Sequence, residues 1–179
     1  MRRLTAPVLA CLLLAACAGA RDNVATLPPS FFGVGVYQDD AAMYEARLAF
    51  GGNQPFPTDA AKAARVLAVY EFMTGELTSN GTYSDLSGIV QAQLQQGRKE
   101  IRAALGVPDE TPAQPLVDAL VAVSQTNDPS LQRAALGSPI FTMGADATLA
   151  RLRAMPPLPR ASRAIVEAGR ADNRLSTRF

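Results

Sequence analysis

The residues that could do chemistry are few, and the missing ones decide most. The chain of 179 residues has no His, no Trp and two Cys, with 17 basic against 16 acidic side chains. Without imidazole there is no Ser-His-Asp or Cys-His catalysis, no histidine metal ligand and no ready proton shuttle near neutral pH. Carboxylate, Lys, Tyr, Ser or backbone chemistry remains. Asp39, Asp40 and Glu45 are close enough in sequence to suggest a cation site or an acid–base pair. They lack calcium-loop spacing, however, and acids at a helix start are what the helix dipole favours. Gly33-Val34-Gly35 lacks the third glycine of a dinucleotide fingerprint and the Lys-Ser/Thr of a phosphate loop. Ser87 and Lys99 would sit about three turns apart on one helix, too far to touch. Tyr70, Glu71 and Lys62 would signal catalysis only if a concavity gathered them with perturbed ionisation. No catalytic residue, metal site or cofactor is assigned on these grounds.

Two further clusters concern interaction. Gln91, Gln93, Gln95 and Gln96 lie largely beside or opposite an apolar stripe, which reads as a solvated face or a docking face. Charge separates along the chain: residues 17–145 carry 8 basic and 13 acidic side chains, residues 146–179 seven Arg and three acids. The seven are Arg151, Arg153, Arg160, Arg163, Arg170, Arg174 and Arg178. Arginine forks onto carboxylates and phosphates. The tail is therefore expected to lie along the acidic body, to contact an anionic envelope component such as headgroups or cell-wall polymer, or to meet a protein. Arg160, Arg163, Arg170 and Arg174 are the candidate interaction residues.

The first residues, MRRLTAPVLACLLLAACAGA, place Arg2 and Arg3 before an apolar run from Leu4 to Ala16 that is too short to span a bilayer. Leu14-Ala15-Ala16-Cys17 resembles the lipobox of bacterial lipoproteins. That resemblance covers the export segment alone. It implies cleavage before Cys17, diacylglycerol on its sulfur and a further acyl chain such as palmitate on its amino group. Two or three chains anchor stably, each buried methylene contributing about 0.8 kcal/mol. An ordinary signal peptide ending in Cys, or a disulfide to Cys11, is the alternative; Cys11 lies in the segment to be discarded. Ala18 stands where Asp would resemble an inner-membrane retention signal, so the outer membrane is expected. Loss of residues 1–16 leaves 15 basic against 16 acidic side chains, which suits no polyanion, and nucleic acid is not expected as a partner.

These groups must be positioned by helices. Period-two alternation is scarce, and helical stretches alternate with Pro, Gly and Asn breaks, so the expected fold is all-α. It would be an irregular bundle of about six helices with an extended N-terminal arm and a loosely packed C-terminal tail. The expected divisions are 1–16 signal, 17–30 flexible tether, 31–155 helical domain and 156–179 Arg-rich tail. Phe31 to Tyr37 is the arm. A first helix spans 41–50, capped by Asp39 or Asp40. A second, capped by Thr58, carries Ala63, Val66, Tyr70, Met73 and Leu77 as a stripe. A third starts at Ser84 or Asp85, carries Leu86, Val90, Leu94, Ile101 and Leu105, and stops at Gly106-Val107-Pro108. Thr111-Pro112-Ala113-Gln114 has the pattern of a capping box for a fourth containing Leu116, Leu120 and Val123. Asp128-Pro129 opens a fifth, Asp146 a sixth, and residues 162–168 form a weakly specified seventh. The expected core is Val66, Tyr70, Met73, Leu94, Ile101, Leu105, Leu116 and Leu120.

The functional expectation is a lipid-anchored envelope protein facing the periplasm, acting as a non-enzymatic adaptor or structural module. A ligand-binding carrier and a small envelope hydrolase or transferase are the alternatives.

Overall fold

The computed structural model describes residues 23–52, 55–79 and 86–176, with side chains as far as Ala171. These residues form seven α-helices and no strand: α1 Gln38–Phe50, α2 Ala60–Ser79, α3 Gly88–Leu105, α4 Ala113–Ser124, α5 Pro129–Ala135, α6 Ala145–Arg153 and α7 Pro159–Ser176. The all-α expectation is met, and all eight expected core residues are buried.

Helix α2 is the centre. Its apolar residues suggest a single stripe, yet 15 of its 20 residues are buried, because α1, α3, α4 and α6 pack around it. Ala60, Ala61, Ala63, Ala64 and Ala68 allow that close approach on several sides without bulky side chains. A helix apolar nearly all round is an interior helix. Helices α3 and α7 form the second large contact, and α1 spans α2 and α7.

The tail is corrected by the structure. Within residues 156–179, α7 places Ala161, Ala164, Ile165 and Ala168 in the core, at the spacing of one helix face. Aromatics are not needed there, because α3 offers Gly97 at the crossing. A Cβ at Gly97 would overlap the Tyr70 hydroxyl and lie 2.7 Å from Ala161 Cα. Small residues on both helices permit the contact.

The tether and the arm are corrected too. From Asn23 onward the chain packs along α2, with Ala25 and Leu27 buried. Gly75 makes room for it, since a Cβ would lie 2.8 Å from Asn23 O and 3.1 Å from Val24 Cα. Gln114 accepts from Thr26 N at 2.8 Å and donates to Thr26 O at 3.1 Å, pairing with the backbone as a neighbouring strand would. Residues 30–35 form turns rather than an extended arm, closed by Phe31 N donating to Pro28 O and Gly33 N to Ser30 O. Arg65 clamps them: it forks onto Glu45, donates to Phe31 O and stacks 4.2 Å from the Phe31 ring centroid.

Helix ends follow local chemistry with shifted registers. Tyr37, not an acid, is the N-cap of α1, and Asp39 and Asp40 lie in its first turn. Asp59 accepts from Lys62 N at the start of α2, one residue beyond Thr58. Ser87 caps α3, and the expected Ser84 and Asp85 lie outside the described residues. Pro112, whose ring has no acceptor, stands at the α4 cap where the capping box needs Thr111, and Gln114 is engaged by Thr26 instead. Asp128 caps α5 as expected, whereas Gly144 precedes α6 and Asp146 sits in its first turn.

Candidate functional site

The buried ionic groups gather at one place. Glu71 of α2 meets Arg98 and Arg102, one turn apart on α3; the three are 1%, 3% and 1% exposed. Arg98 Nε donates to Glu71 Oε1 at 2.7 Å, and its Nη2 lies 2.5 Å from the same oxygen outside hydrogen-bond alignment. Arg102 Nη2 donates to Glu71 Oε1, and its Nη1 donates to Asp109 O at 2.6 Å and Thr111 O at 2.8 Å. Arg98 Nη1 reaches Asn23 O at 3.2 Å. Burial pulls the Arg98 guanidinium below its usual range, and Glu71 opposes that. The cluster thus ties α2, α3, the N-terminal segment and the α3–α4 loop. Its groups face one another and backbone carbonyls, an arrangement suited to cross-linking.

Tyr70 lies beside it. Burial raises its phenol far above the ordinary range, and Glu100 and Glu71 add to the rise. Its hydroxyl donates to Leu94 O at 3.3 Å beneath Gly97. Lys62 is exposed at the start of α2, so no concavity gathers Tyr70, Glu71 and Lys62 among the described residues. Ser87 spends its hydroxyl on the cap, and Lys99 lies 3.5 Å from Asp109. Glu45 is engaged by Arg65. Asp39 and Asp40 border a dimple of about 20 Å³ with Met43 and Met73, about the space of a single water. No group of three potential His, Cys, Asp or Glu metal ligands occurs among the described residues. Gly33 and Gly35 supply positive-φ turn positions. Of the glutamines, Gln91 donates to Leu86 O and Gln95 to Thr78 Oγ1, so these two help bind helix ends and neighbours and do not form a free face.

The interaction candidates fare differently. Arg160, Arg163 and Arg170 are exposed on one side of α7, opposite buried Ala161, Ala164 and Ala168. Arg174 occupies the same side by helical register, its side chain outside the described set; Cys17 and Arg178 also lie outside the described residues. Glu167 shares the ridge and pairs with Arg170 at 2.7 Å.

The helix is held by a residue that the sequence reading did not single out. Glu100 Oε2 of α3 accepts from Arg160 N at 2.9 Å and Ala161 N at 3.0 Å. These are first-turn donors with no intrahelical partner. Leu158, directly before the helix, has no capping oxygen, and Pro159 at the first position is the signal that a helix starts there.

Between this ridge and α1 lies an open groove of about 530 Å³, bordered by Tyr44, Arg47, Leu48, Val166, Gly169 and Arg170. Its lining mixes apolar Leu48, Ile165 and Val166 with the cations Arg47 and Arg170, side chains of the kinds an amphiphilic anion would meet. Compared with protein-family models, curated proteins and solved structures, the chain gives no match in any of the three.

Proposed function

We propose that the chain is a lipid-anchored envelope protein, held at the periplasmic face of the outer membrane through Cys17, acting as a non-enzymatic adaptor or structural module. The observation that carries this reading is the run Leu14-Ala15-Ala16-Cys17 at the end of a charged, then apolar, start. Among the described residues no helix is long and apolar enough to cross a membrane, so attachment under this reading rests on lipid. Asn23, the first described residue, lies six steps after Cys17, so under this reading the anchor holds that point within about 20 Å of the bilayer. Arg160, Arg163, Arg170 and Arg174 are the proposed contacts to an anionic envelope component.

The test is a Cys17→Ser variant followed by membrane fractionation and fatty-acid labelling. The wild type incorporates label and sediments with membranes, and the variant does neither. A wild-type protein without label, or a variant still held by membranes, overturns the reading.

A further inference from the structure

Eight large apolar side chains are exposed among the described residues, and five of them, Val34, Val36, Tyr37, Tyr44 and Leu48, fall between residues 34 and 48. Val34 is 96% exposed, Tyr37 83% and Tyr44 67%. Tyr37, Tyr44 and Leu48 share one side of α1, opposite the buried Ala42, Ala46 and Phe50. The α1–α7 groove is lined by Tyr44 and Leu48 of this stripe and, across it, by Arg170, through which the arginine ridge of α7 reaches the groove. An apolar stripe with tyrosines next to a basic ridge is the composition of an interfacial, headgroup-level surface.

We infer that the α1–α7 face rests on an anionic lipid surface, with Tyr37, Tyr44 and Leu48 among the headgroups and Arg160, Arg163 and Arg170 on lipid phosphates. This rests on the lipid-anchored reading and adds which face meets the bilayer and which lipid chemistry it selects. The short link from Cys17 favours lipid over other occupants. Asn23 docks beside Gly75 on α2, the helix on which α1 also packs, so the anchored end enters the fold on the element that supports the stripe-bearing helix. An anchor that close presents the surface of the fold to the bilayer at high effective concentration. Charge agrees in sign: three arginines against Glu167 leave the ridge cationic, although the mature chain is slightly acidic overall. Each arginine near an anionic surface strengthens attachment roughly fivefold, within a screening length of about 10 Å at 0.1 M salt.

The chain has no Trp, so a single introduced one reports its own surroundings. The mature chain is coupled through Cys17 to a maleimide lipid in vesicles of phosphatidylcholine with or without phosphatidylglycerol, with brominated acyl chains as quencher. One form carries Tyr44→Trp, the other Leu131→Trp on α5, an exposed site on a helix that packs on α4 and α6. With phosphatidylglycerol, emission of the Tyr44→Trp form shifts to the blue and is quenched, and that of the Leu131→Trp form is not. Arg160→Gln, Arg163→Gln and Arg170→Gln together, or 1 M salt, abolish the difference. Equal quenching of the two forms overturns the inference, as does a Tyr44→Trp response indifferent to phosphatidylglycerol. A blue shift that grows with protein concentration without lipid overturns it in favour of self-association. Because coupling enforces anchoring, these results stand apart from whether cells acylate Cys17.

Discussion

Removing the Glu71 carboxylate leaves two buried guanidiniums with backbone carbonyls as their main partners. Breaking one side of a buried ion cluster costs about 3–5 kcal/mol, so Glu71→Gln should lower unfolding stability by that order in urea titration. Tyr70 gives a pH signature. Its folded phenol is raised above the unfolded value of about 10, so its contribution is intact below pH 10 and is lost as pH climbs above it, by up to ~1.4 kcal/mol per pH unit. Tyr70→Phe should flatten the alkaline limb of stability measured by circular dichroism. An unchanged limb would contradict the buried-phenol assignment. Tyr70 was legible as core from its place in the stripe with Val66 and Met73. The Glu71 cluster was not, because nothing in the spacing of an acid on one helix and two arginines on another records that the helices meet there.

At the scale of elements, α7 is the informative case. Ile165→Ala should cost ~2–5 kcal/mol, since the side chain is fully buried and leaves a cavity. Glu100→Ala should cost about 1 kcal/mol by uncapping α7, and hydrogen exchange should rise first at Arg160 and Ala161. A loose tail would leave stability unchanged in both variants. The packing of this segment was not legible because the expected core held only bulky side chains, whereas α7 buries mainly alanines. Here alanines pack against Gly97, where close backbone approach replaces side-chain volume. The same error hid the docking of residues 23–29: small and polar composition suggested a tether, while Gly75 and Gln114 supply a groove and a backbone partner from distant parts of the chain. Helices α3 and α4 were legible from their apolar periodicity, α2 from its long apolar run after Pro57, and α5 from the Asp128-Pro129 start alone.

On the scale of the whole molecule, the proposed acyl anchor at Cys17, a described fold that begins at Asn23 and a basic ridge on α7 near an apolar stripe on α1 suit work at a membrane surface. The fold class was legible throughout; the composite face was not, since it joins α1 to α7 across more than a hundred residues of sequence. Only the packing of both helices around Gly169 and Arg47 creates it. The account stands or falls on the anchor. Its most direct test is the intact mass and N-terminal peptide of the protein extracted from membranes. The account predicts a chain beginning at Cys17 whose mass exceeds that of residues 17–179 by a diacylglycerol and a further acyl chain. An unmodified Cys17, or a chain still beginning at Met1, would contradict it.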